Sequence, residues 1–316
     1  MAITPVSGDA SFRRYFRTLH NGTPVILMDA PPDKEDSRPF LDVDHRLRQA
    51  GLRAPQVLAF DLNQGFGLLE DFGDQLYRDV IDEQSVDQLF PGLFDTLAGM
   101  ATDVDHTELP VYDQGRLQQE MDLYTEWYLA RHKGVTLAPG KILDWQQACG
   151  LLIQSALSQP QVFVHRDFHS CNLLLTEELT GLRDQPTDQS PVPGIIDFQD
   201  AVTGPLTYDF ASLLWDRYIR WPRHQLETWM MQFHHLLESR MDFNLDHGLW
   251  IRWCDLMGLQ RNLKIVGIFA RLHYRDGKTG YLEMIPQFHR YLLDVLPNYP
   301  ELSGLHRIVR DSACAP

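Results

Sequence analysis

Residues 162–175, "VFVHRDFHSCNLLL", and residues 194–200, "GIIDFQD", constrain this chain more than any other stretch. Apolar runs at 162–164 and 173–175 read as short strands. Between them lies an eight-residue interruption carrying His165, Arg166, Asp167, His169 and Asn172. A polar loop with three prolines follows, and a further short strand then ends at Asp197. The chain is therefore expected to place a β-hairpin within otherwise helical sequence, with acids where strands give way to loops.

The rest of the sequence divides on either side of "EDFGDQ" (residues 70–75). Before it, strands are expected at 12–18 and 25–28, joined by the turn signal "HNGT", and at 57–61 and 67–70 around "NQG". One helix is expected from Ser37 to Ala50, with Pro39 in its first turn and Gly51 at its end. After it, helical periodicity dominates: Leu89, Leu93, Leu97 and Met100 share a stripe, and 117–130 and 142–157 are amphipathic. Helices are expected near 223–241, 247–275 and 284–295, with an irregular tail after Pro297. The expectation is an α+β chain with a small β-rich N-terminal lobe, 1–73, and a larger, mostly helical C-terminal lobe, 74–316. A cleft between two such lobes is a natural ligand site.

Composition narrows the partners. The chain has 316 residues, 44% of them apolar, enough for a large core. Forty-three acids against 28 bases give a net charge of −15. That argues against wrapping nucleic acid or lying on an anionic membrane. Cys149, Cys171, Cys254 and Cys314 form no CxxC pair and read as reduced thiols. With no signal-peptide pattern after Met1 and no apolar run of membrane length, a cytoplasmic location is expected.

The chemistry of the opening stretch lies in its spacing, H-x-D-x-x-x-x-N, followed 25 residues after Asn172 by Asp197. Phosphoryl transfer from a nucleotide needs a carboxylate to receive the attacking hydroxyl's proton and oxygen ligands for Mg2+. Asp167 is the candidate base, and Asn172 and Asp197 are the candidate metal ligands. The alternative, two exposed turn acids bounding two strands, does not explain why both turns carry the required partners. His165 is expected to brace the loop, and packing is the better reading of His169.

"VHRDFHSCNLLL" and "IIDFQDAVTGPLTYDFASLL" resemble the aminoglycoside phosphotransferase/choline kinase family, relatives of the protein kinases. The resemblance implies a protein-kinase-like two-lobe fold, ATP and Mg2+ as cofactors, and a structural role for Asp209 in supporting the catalytic loop. "VSGDASFRRYFR", "ILMDAPP", "LLEDFGD", "EWYLARHKG" and "GIFARLHYRDGKTGYLEMIP" further resemble the anomeric kinases of bacterial cell-wall recycling. Those enzymes phosphorylate N-acetylmuramate and N-acetylglucosamine at C1, so the implied partner is a small amino sugar.

The sequence departs from that pattern in two places. "SGDASF" (residues 7–12) has one glycine where a glycine-rich phosphate loop is usual, leaving Ser7 and Gly8 as phosphate candidates. "VILMDA" has no lysine for the phosphates, so a cation must come from Arg13, Arg14 or Arg17; strand alternation separates Arg14 from the other two, and Arg14 is favoured. Glu70, Asp71 and Phe72 are adenine candidates through main-chain atoms. For the acceptor, aromatic faces and charged ends suggest Glu126, Trp127, Trp215, Asp216, Arg217 and Arg271, with Arg217 or Arg271 facing a lactyl carboxylate. The competing view makes Trp127 and Trp215 core, and Lys264, Arg271 and Arg275 a solvated helix face. Two other functions remain open: kinase of choline, ethanolamine, an aminoglycoside or another small alcohol, and nucleotide-binding pseudokinase.

Overall fold

The computed structural model describes residues 3–6, 12–176, 190–242 and 244–314. The expected N-terminal strands and helix are present: β1 (Thr4–Val6), β2 (Arg14–His20), β3 (Thr23–Asp29), α1 (Arg38–Gln49), β4 (Val57–Asp61) and β5 (Phe66–Glu70). Next come α2 (Val86–Thr102), α3 (Gln114–Leu123), a π-helical segment (Tyr124–His132) and α4 (Pro139–Leu157). Four short strands follow, β6 (Gln161–Val164), β7 (Leu173–Leu175), β8 (Pro193–Ile195) and β9 (Val202–Pro205). The chain ends with α5 (Tyr208–Leu214), α6 (Arg223–Arg240), α7 (His247–Tyr274), α8 (Tyr281–Val295) and α9 (Ser303–Cys314). Among the described residues, no helix is long and apolar enough to cross a membrane.

Two compact units emerge, cut differently from the 1–73 and 74–316 division expected. One comprises Met1–His106 with His165–Ala201; the other comprises Thr107–Val164 with Val202–Pro316. The β7–β8 hairpin and both loops carrying the candidate acids thus belong to the same unit as the N-terminal sheet.

In the first unit, β1 to β5 form an antiparallel sheet in the order β1-β2-β3-β5-β4. Asn21 and Gly22 take positive φ in the β2–β3 turn, as the sequence "NG" requires of a tight hairpin. Ser37 is the N-cap of α1, a proline lies in the first turn, and Gly51 follows the helix at φ +77. The inward face of α1 is Phe40, Val43, Asp44 and Leu47, and Phe40 stacks on Phe198 at 5.1 Å.

Asp44 is anomalous on that face. It is 5% exposed, and its Oδ1 has no hydrogen-bond partner. Burial pushes its pKa up to about 6, Glu70 adds to the shift, and Arg48 opposes it. A raised carboxyl pKa means that the folded state holds its proton more tightly than the unfolded chain. Stability from this group is therefore complete below about pH 4 and is lost as pH rises through about 6. Asp44→Asn is expected to stabilise the protein by about 2 kcal/mol at pH 7.5 and by almost nothing at pH 4. Thermal melts at the two pH values check this; an equal shift at both would refute it.

In the second unit, β6 pairs with β9, and α7 is the central helix, packed by α3, α4, α5, α8 and the π-helical segment. Gly267 permits one of these approaches, since a Cβ there would lie 2.4 Å from the Leu123 carbonyl carbon. The tail corrects the sequence expectation. Instead of irregular chain, α9 forms and buries Leu305, Ile308, Val309 and Ser312, helically spaced positions that follow directly on buried Leu302. Pro297 and Pro300 break the chain just before this stripe and obscure it in the sequence.

Candidate active site

The site in the first unit is made by the β7–β8 pairing. The strands run antiparallel, with Leu173 opposite Ile195 and all six residues buried. The residue before β7 and the residues after β8 therefore emerge at the same end. This brings together Asn172 and Asp197, 25 positions apart: Asn172 Nδ2 lies 3.4 Å from Asp197 Oδ2, and Ile196 N donates to Asn172 O at 3.1 Å. Asp197 has φ +64 and Arg166 φ +79, left-handed conformations unusual for side chains of this size. Such strain accumulates where a loop must aim particular groups.

The loop from His165 to Asn172 is held from within. His165 is fully buried, and its Nε2 donates to Ile196 O at 3.0 Å. That bond fixes the tautomer, leaving Nδ1 to accept from Asp167 N at 3.2 Å. Burial pushes the His165 pKa down to about 4, so the ring is a neutral strut. His169 also accepts within the loop, from Cys171 N at 3.3 Å, and Asn172 Nδ2 donates to Asp167 O at 2.9 Å. Because its nitrogen is committed to Asp167 O and Asp197, the Asn172 amide keeps Oδ1, the atom that ligates metals, for another partner. The Asn172 amide oxygen and the half-buried Asp197 carboxylate are hard-oxygen donors suited to a divalent cation of the Mg2+ type.

The arginines around β2 differ from one another. Arg14 is 64% exposed and pairs with Asp29, which is 14% exposed. Arg17 pairs with Asp71 and Asp74, at 2.9 and 2.7 Å. Arg13 is 6% exposed and pairs with Glu35 at 3.4 Å. Tyr15, raised to about 12 by burial, feels the charges of Arg13, Asp197 and Glu35 together. Of the three arginines, Arg13 is thus the buried one, and the favoured Arg14 is the most exposed. Ser7 and Gly8 lie outside the described residues.

At the end of β5, Arg53 forms a two-point pair with Glu70, at 2.6 and 3.0 Å, and lies 4.8 Å over the Phe72 ring. The Glu70 N–H is already donated to Gln56 O at 2.9 Å, so it is not open to a base. Phe72 is 6% exposed and packs on Gly194 of β8, where a Cβ would meet the ring at 2.6 Å. Among the described residues the Phe72 main chain enters no hydrogen bond.

The six acceptor candidates all lie in the second unit but are not alike. Trp215 is core: it is 1% exposed, its ring against Gly258, where a Cβ would come within 2.7 Å. Asp216 is buried and accepts from Tyr218 N at 3.1 Å, while its carbonyl accepts from Tyr291 Oη at 2.8 Å. Glu126 is exposed in a surface groove with Gln118, Asp122 and Leu129. Trp127 is half-buried, and Arg217 leans on the Tyr218 ring at 5.2 Å. Arg271 stands apart. It is half-buried, its Nε has no hydrogen-bond partner, and no ion pair engages it among the described residues. Burial and neighbouring Arg275 lower its pKa. Asp209 is buried in the first turn of α5.

Sequence reasoning missed a buried polar group around Lys264. Lys264 is buried rather than part of a solvated face; it pairs with Glu120 at 3.1 Å and donates to Tyr208 Oη at 2.8 Å. Tyr112 Oη donates to the other Glu120 oxygen. Arg275, by contrast, is exposed and pairs with Asp276.

A family model described as "Phosphotransferase enzyme family" matches residues 2–243. This chain belongs to that family. It is 42% identical over 316 residues to the N-acetylmuramate/N-acetylglucosamine kinase of Pseudomonas aeruginosa, covering 97% of this chain and 87% of that protein. It is 35% identical over 313 residues to the enzyme of the same name from Neisseria meningitidis, covering 97% and 89%. Among solved structures it resembles a Plasmodium vivax ethanolamine kinase, with a TM-score of 0.63, 12% identity, and 98% and 84% coverage. It also resembles a thermostable aminoglycoside phosphotransferase in ternary complex with AMP-PNP and hygromycin B, with a TM-score of 0.58, 15% identity, and 92% and 93% coverage. The protein-kinase-like α+β fold expected from the sequence is the fold of these family members.

Proposed function

We propose that this chain is an ATP- and Mg2+-dependent kinase that phosphorylates the anomeric hydroxyl of N-acetylmuramate, N-acetylglucosamine or both. The observation that carries the reading is the single framework of Asp167, Asn172 and Asp197, with the last two 3.4 Å apart. The names of the two curated relatives supply the acceptor. Asp167 orients the C1 hydroxyl and takes its proton as the C1 oxygen bonds to the γ-phosphorus and the bond to ADP breaks. Mg2+, when bound by Asn172 and Asp197, neutralises charge on the nucleotide phosphates. Arg13 supplies the protein's cation, and the open main chain of Phe72 receives the adenine edge. A pure nucleotide binder would have no use for a base held as Asp167 is.

The test is an acceptor panel. Purified protein is incubated with ATP, Mg2+ and, separately, N-acetylmuramate, N-acetylglucosamine, choline, ethanolamine and an aminoglycoside. A sugar 1-phosphate resonance in 31P NMR is expected. Turnover confined to another acceptor would keep the phosphotransferase and remove the sugar.

Within this reading, Arg271 pairs with the lactyl carboxylate that distinguishes N-acetylmuramate. A hydrogen bond between charged groups contributes about 1.5–3 kcal/mol, so Arg271→Ala is expected to lower kcat/KM for N-acetylmuramate by about 10- to 100-fold. The value for N-acetylglucosamine, which lacks that carboxylate, is expected to change by less than about threefold. Equal losses for both sugars would remove Arg271 from this role.

A further inference from the structure

Where α6 ends and α7 begins, three histidines converge: His234 and His235 on α6 and His247 at the first position of α7. One ring nitrogen from each lies within 4.8 Å of the others. His234 is fully buried, while His235 and His247 are exposed. Its Nε2 faces Leu245 O at 3.1 Å. A carbonyl can only accept, so Nε2 carries the hydrogen and Nδ1 presents a lone pair. Glu238, one helical turn further along α6, places Oε2 3.5 Å from that Nδ1. A neutral imidazole nitrogen and a carboxylate oxygen do not attract each other at this range; a cation between them reconciles the contact.

From this arrangement we infer that His234, His235, His247 and Glu238 form a zinc site that ties α6 to α7. Imidazole nitrogens with one carboxylate suit Zn2+ and not Mg2+, which prefers an all-oxygen shell. Zinc bonds of about 2.0–2.1 Å in a tetrahedron put neighbouring ligand atoms about 3.4 Å apart, close to the Glu238–His234 separation. The two exposed rings have only to turn about their side-chain torsions to close the remaining distance. A carbonyl behind the ligating histidine is a common support for such sites, fixing both tautomer and ring orientation. The scaffold is also set in advance, because Trp250 Nε1 donates to Met230 O at 2.7 Å and joins the same two helices. Four protein ligands leave no open position, so the site staples the fold and performs no chemistry.

The test uses untagged, chelator-treated full-length protein, with Mg2+ in millimolar excess to occupy hard-oxygen sites. Zinc is titrated in competition with a chromophoric chelator. One equivalent is expected to bind with a submicromolar Kd, and Co2+ in its place should show the visible bands of a tetrahedral site. At about a hundredfold excess over Kd, zinc should raise the melting temperature by about 5 °C. The double variant His235→Ala/His247→Ala removes only exposed side chains; its activity with Mg2+ reports that it is folded, and it should lose both the zinc and the thermal shift. Zinc uptake that survives the double substitution, or a wild-type Kd weaker than about 10 µM, overturns the assignment.

Discussion

Asp167→Ala is expected to reduce kcat by about 10²–10⁴-fold while leaving nucleotide affinity within about threefold. The direction follows from where the loop spends its atoms. Asp167 contributes its backbone to the architecture: its N–H donates to His165, and its carbonyl accepts from Asn172 and from His169 N at 3.0 Å. Alanine keeps all three of these backbone bonds. Only the carboxylate is lost. Single-turnover phosphorylation of the sugar, beside ATP binding by calorimetry, separates the two consequences. Loss of ATP affinity in step with loss of rate would make Asp167 a metal ligand and not the base. Asp167→Asn should behave like alanine in rate, because an amide cannot accept the proton at neutral pH.

His165 shows why this part of the site was legible from the sequence. A buried strand followed by His, Asp and Asn at fixed offsets leaves few ways to satisfy the loop's backbone, and the observed bonds use these side chains. The meeting of Asn172 and Asp197 was likewise implied, since two short apolar runs flanking one loop pair as a hairpin and bring those ends together. Sheet faces were harder. Alternation sorted Arg14 from Arg13 and Arg17, but which face is buried depends on what packs against the sheet. Chemistry inferred from residue type failed at Trp215, whose indole fills the space above Gly258 and makes no exposed platform. The competing view of Lys264 as part of a solvated face does not hold, because α7 is packed on several sides and buries polar residues along much of its length, so no amphipathic face reveals which charges are inside. The π-helical turn at Tyr124–His132 leaves no compositional mark, and the zinc ligands draw on two helices joined by a loop.

Arg13→Ala is expected to lower kcat/KM for ATP by about 10²–10³-fold, the range for removing one fixed charge donor from a developing phosphoryl charge. Arg14→Ala should leave it within about threefold. The contrast tests the structure against the face chosen from the sequence. Arg14 is exposed and pairs with Asp29, itself 14% exposed, so its loss removes a guanidinium that already stands mostly in water. Arg13 is buried and braced by Glu35. A lysine would ordinarily come from β3, but there Met28 is fully buried and Asp29 holds Arg14. Arg13→Lys should recover part of the lost rate, since a lysine restores the charge without the planar fork that meets phosphate and Glu35 at once. If Arg13→Ala acted only by unfolding, kcat/KM for ATP and for the sugar would fall together with the melting temperature. A selective loss for ATP at an unchanged melting temperature identifies the cation that stands in for the missing lysine.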